Sequence, residues 1–94
     1  MPWVCYPRPM VEAEAAELVR QALVDALALD VAPRALRGEQ PLFEPPVRMD
    51  SLGFHRVVVE LEVRREARFD ENALDGTLFE TVDDLVRFVF EQST

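Results

Sequence analysis

Ser51 is the side chain best suited to covalent chemistry in this chain. It follows Asp50 and opens an amphipathic stretch that begins Ser51-Leu52-Gly53-Phe54. Asp is a favoured N-cap, so a helix is predicted to start at Ser51. A serine in a first helical turn exposes its hydroxyl. The unpaired N–H groups and the positive dipole end beside it favour an anion there. Taken alone, Asp50-Ser51 is more often an ordinary helix start.

The other chemistry-bearing residues do not assemble into a site. His55, the only histidine, falls one turn after Ser51 and reads as a half-buried spacer; the alternative is contact with a group attached at Ser51. Cys5 is the only cysteine. It cannot form an internal disulfide and has no base near it in sequence, so it reads as a free thiol. Asp83-Asp84 reads as first-turn charge on a late helix, not as a metal pair. One histidine and one remote cysteine make no zinc set. No nucleophile–base pair can be built, so an enzyme is not expected.

The elements that must position Ser51 follow from patterning. With 94 residues, the chain is expected to form one domain. Pro2, Pro7 and Pro9 argue against an early helix, so residues 1–9 read as an extension that Trp3 and Tyr6 could dock. Residues 10–94 form the domain. A first helix is predicted from Met10 to Leu29, with Val11, Ala15, Leu18, Ala22 and Ala26 at helical spacing beside Ala15, Val19, Leu23 and Leu27. From Asp30 to Met49, Pro33, Gly38, Pro41, Pro45 and Pro46 impose a long connection. Leu36, Leu42, Phe43 and Val47 are predicted to pin it to the core. In the second helix, Leu52, His55, Val58, Val59, Leu61 and Glu62 read as the apolar face with polar interruptions. Val57-Val58-Val59 has strand propensity, but neighbouring Glu and Arg at helical pair spacing favour helix. Asn72 to Phe79, interrupted by Gly76, allows a turn or two of helix. The last helix is predicted at Thr81, with Asp84 completing an approximate capping box and Val82, Leu85, Val86, Val89 and Phe90 as its buried stripe.

The net charge of −8 repels phosphate backbones, so no nucleic-acid partner is expected. Every cation is an arginine. No apolar run is long enough to cross a bilayer, and the N-terminal segment lacks the signal-peptide pattern, so no membrane association and a cytoplasmic location are expected.

From Met10 to Glu91 the chain resembles the acyl carrier proteins. Asp50-Ser51-Leu52 matches their Asp-Ser-Leu motif. Phe43 keeps the upstream aromatic spacing, and Val47 stands in the leucine place. Phe69 falls where the family starts its third segment with a hydrophobic residue, and Thr81-Val82 matches the pair that opens the last helix. The resemblance implies an all-α, acyl-carrier-protein-like four-helix bundle: three main helices, one short helix and a long first loop. It implies 4'-phosphopantetheine on Ser51, with Asp50 and Leu52 as the motif and helix cap. It implies a discrete carrier that holds an acyl group as a thioester. The partners would be a phosphopantetheinyl transferase, an acyl-loading ligase or acyltransferase, and a synthase or other cargo-processing enzyme. Leu52, Arg56 and Val59 match places where carriers meet such partners, and Val58, Leu61 and Phe90 are the candidates to line a cargo path.

Two departures from the family pattern bear on the reading. Arg48 replaces the usual glycine, so the turn there needs a different backbone or carries strain. Between Ser51 and Arg68, Arg56, Arg64, Arg65 and Arg68 outnumber Glu60, Glu62 and Glu66, whereas Arg87 is the only cation after Phe69 among seven acids. The acid lies away from the second helix, which favours a dedicated, polyketide-type secondary pathway over general fatty-acid synthesis. An aminoacyl or peptidyl carrier is the alternative cargo class, although the Gly-Gly-His-Ser motif of peptidyl carriers is absent. An unmodified helical interaction module is the alternative of another class.

Overall fold

The computed structural model describes residues 11–66, 68–69 and 79–92. They form helix α1 (Glu12–Leu27), a single 3-10 turn (Pro33–Ala35), helix α2 (Ser51–Arg65) and helix α3 (Val82–Gln92). The predicted all-α class is the observed one, and no strand occurs among the described residues. The expected short fourth helix, Asn72 to Phe79, lies almost wholly outside the described residues, as do Cys5, Trp3 and Tyr6 in the 1–9 extension.

α1 is the hub, because both α2 and α3 pack on it. Ala15, Val19, Ala22 and Leu23 are its buried face. Val11, predicted on that face, is exposed: it is the N-cap, with extended backbone, and lies before the helical register begins. Glu14 reaches back to accept the Val11 N–H at 3.3 Å. The helix stops at Leu27, not Leu29, because Ala28 turns left-handed at φ 52° and donates its N–H to the Val24 carbonyl. Opposite α1, α2 contributes Val57, Val58 and Leu61, and α3 contributes Val82, Leu85, Val86 and Val89. Phe90 is only half-buried.

A chain of rings runs between α2 and α3. Phe54 stacks on Phe79 with centroids 5.6 Å apart, Phe79 meets Phe88 edge-on at 5.2 Å, and Phe88 meets Phe69 at 5.0 Å. The Arg65 guanidinium lies 4.4 Å from the Phe69 centroid and donates to the Gln92 carbonyl at 3.1 Å. It joins the C-terminal ends of α2 and α3, and burial pushes its pKa down. Arg64 bonds Glu60 at 2.7 Å and also reaches Asp25, which clamps α2 to α1.

The long connection is fixed at several points. Arg20 donates to the Leu36 carbonyl at 2.7 Å. The Leu42 N–H donates to Glu80, while the Val82 and Asp83 N–H groups donate to Gln40 and Gly38, at 2.8, 3.1 and 2.9 Å. The loop therefore satisfies N–H groups that the start of α3 leaves free. Leu36, Leu42 and Val47 are buried as predicted, but Phe43 is 51% exposed. Leu42 is held inward by two backbone bonds, its N–H donating to the Glu80 carbonyl and its carbonyl accepting the Met49 N–H, both at 2.8 Å, while Phe43 lies on the outer side of the turn that follows the Pro41–Thr81 bridge.

The α3 capping box is complete. Asp84 accepts the Glu80 and Thr81 N–H groups at 2.9 and 3.1 Å, and Thr81 Oγ1 accepts the Asp84 N–H at 3.3 Å. Chiefly the bond from Glu80 holds the Asp84 pKa below the ordinary carboxylate value. A lowered folded pKa gives stability that is present above the ordinary value and lost as pH falls through the folded one. Asp84→Asn is expected to lower stability by about 1 kcal/mol at neutral pH. That difference should shrink below about pH 4, as urea titrations at both pH values would show. An equal difference at both would remove the charge from the account.

Candidate attachment site

α2 begins where the sequence places it. Asp50 is the N-cap, with extended backbone, and its Oδ1 accepts the Gly53 N–H at 2.7 Å. Ser51 is the first helical residue and is exposed. Its hydroxyl therefore faces solvent beside first-turn N–H groups that have no carbonyl within the helix. Gly53 sits against α1: a Cβ there would come within 2.9 Å of Leu27 Cδ2. The glycine lets the start of α2 lie close on the end of α1, so Ser51 stands on a packed edge.

The approach to Asp50 is a tight turn. The Val47 and Arg48 N–H groups donate to the Glu44 carbonyl at 3.0 and 2.9 Å, and the Met49 N–H donates to the Leu42 carbonyl at 2.8 Å. Val47 and Met49 are buried on either side of exposed Arg48. Arg48 adopts φ 49°, the left-handed conformation that glycine takes without a Cβ penalty. The strain foreseen from the replaced glycine is present in the backbone. Arg48→Gly is expected to raise stability by about 1 kcal/mol, read as a higher urea midpoint at unchanged m-value. A fall would show that the arginine side chain contributes more than the turn costs.

Leu52 and Val59 are 62% and 44% exposed, and Arg56 is exposed beside them. This places all three on the outward side of α2. His55 is exposed too, not the half-buried spacer expected. Of the apolar face read from sequence, Val58 and Leu61 are buried as predicted, joined by Gly53 and Val57, whereas Leu52, His55 and Val59 turn outward, Leu52 and Val59 as their alternative reading as partner contacts requires. Val63, 67% exposed, completes the outward row. It was not singled out from sequence, though its spacing from Leu52 and Val59 is the signal that would have found it. Among the described residues, no group of three His, Cys, Asp or Glu side chains could hold a metal ion. No described helix is long and apolar enough to cross a membrane.

Among the described residues, three helices form a small all-α domain with an exposed, Asp-capped serine at the head of α2. No protein-family model, curated protein or solved structure matches the chain.

Proposed function

We propose that the chain is a discrete acyl carrier protein, with 4'-phosphopantetheine attached to Ser51. The observation that carries the reading is the exposed Ser51 at the first position of a helix capped by Asp50. A phosphopantetheinyl transferase would supply the arm from CoA. The serine oxygen forms the new bond to phosphorus, the nucleoside bisphosphate leaves, and the serine proton passes to the transferase. The resulting phosphodiester anion is favoured by the start of α2. Asp50 partly opposes that anion while fixing the turn.

The terminal thiol of the arm then carries the cargo as a thioester. The protein presents this cargo and performs no catalysis of its own. Val58 and Leu61 are buried in a packed core, and the phenylalanine chain fills the space between α2 and α3. The cargo is accordingly read as held outside, in a polyketide-type pathway with dedicated partners. A helical interaction module without modification is the second reading, favoured by the outward row Leu52, Val59 and Val63. Intact mass after incubation with CoA and a promiscuous transferase separates the two: a gain of one phosphopantetheinyl group supports the carrier, and an unchanged mass supports the module.

A further inference from the structure

Leu52, Val59 and Val63 are three of the five large apolar side chains exposed in the described structure. Their spacing puts them in one row on α2. A row of this kind marks an interaction surface more often than an isolated exposed residue does. Its charge is unlike that of the whole chain. Arg56 lies within the row and is exposed. Among the described residues, no carboxylate lies within salt-bridge distance of Arg56. The two acids of α2 are engaged elsewhere and half-buried: Glu60 is bonded to Arg64, and Glu62 accepts the Phe69 N–H at 2.9 Å. Exposed Arg48 stands just before the helix. A chain of net charge −8 thus turns outward, on the helix that Asp50 and Ser51 begin, an apolar row that carries the exposed Arg56.

We propose that this row docks an enzyme whose apolar groove is edged by carboxylates, so that Arg56 meets an acid. The proposal rests on the carrier reading, because the enzyme is one that acts on the group at Ser51. A basic docking surface would be drawn to the net charge of the protein and then meet Arg56 at the contact, where like charges slow encounter and weaken binding. The row itself supplies the apolar contact, and Arg56 selects the partner by charge.

The test is a charge-swap cycle with a defined probe. The probe is a phosphopantetheinyl transferase with a basic carrier-facing surface, alongside the same enzyme with those positions changed to Glu. kcat/KM for CoA-dependent modification is read by intact mass on the native protein and on Arg56→Glu. Any loss of intrinsic activity in the charge-reversed enzyme cancels in the cross-ratio. The native protein should favour the reversed enzyme relative to Arg56→Glu by about tenfold, less at high salt. Val63→Ser should slow both enzymes. A cross-ratio of one, with modification intact, overturns the docking proposal and leaves the carrier reading standing. A stable dimer in sedimentation that Val63→Asp dissociates assigns the row to a second copy and also overturns it. No mass gain with either enzyme overturns the carrier reading, and the docking proposal with it.

Discussion

Replacing Ser51 by Ala should abolish phosphopantetheine transfer while leaving the fold intact. The Ser51 hydroxyl is exposed, and the α2 cap is made by Asp50, not by Ser51. Removing the hydroxyl leaves no buried group unpaired, and Ala is the better helix former at that position. Thermal unfolding should therefore shift by no more than the ±0.5 kcal/mol or so typical of a surface change, whereas the mass gain should vanish. A Ser51→Ala protein that still gains the mass would place the attachment elsewhere.

Leu23→Ala should produce the largest loss of stability among single core changes. Leu23 is fully buried on α1, the helix on which both α2 and α3 pack. Losing the isopropyl group removes apolar burial and leaves a cavity between elements that cannot all close on it. The expected cost is about 2–5 kcal/mol, a large share of the roughly 5–15 kcal/mol typical of a domain. The melting temperature should fall by about 10 °C or more, measured by circular dichroism. A drop of only a degree or two would mean that α1 is not the hub of the core. Because α2 is held on α1, the same variant should also be modified more slowly at Ser51.

The helix starts were the most legible part of this structure. Asp50 before Ser51, and Thr81 with Asp84, are local signals: each cap depends on a short side chain reaching an N–H a few residues ahead. Val57-Val58-Val59 is helical despite its strand propensity, in a stretch whose charged residues pair at helical spacing, as Arg64 does with Glu60. The apolar side of α2 was less legible. Leu52, His55 and Val59 lie on a face as continuous in sequence as the one formed by Val57, Val58 and Leu61, and only the packing against α1 decides which turns inward. Phe43 was misassigned for a related reason: hydrophobicity ranks it with Leu42, but the backbone bonds of Leu42 decide which of the two faces in. The left-handed turn at Ala28 carries no glycine to announce it. At Arg48 the same turn could be anticipated only because the resemblance supplies a glycine there.

The attachment of a phosphopantetheinyl group to Ser51 is tested most directly on the protein isolated from the cells that make it. Every cation in the chain is an arginine, so trypsin releases Met49–Arg56, in which Ser51 is the only hydroxyl-bearing side chain. Fragmentation mass spectrometry of that peptide should find it carrying one phosphopantetheinyl group, which is ejected on activation to leave dehydrated Ser51. If the peptide is found only unmodified, and stays so after incubation with CoA and a promiscuous transferase, Ser51 is an ordinary helix start and the chain is not a carrier.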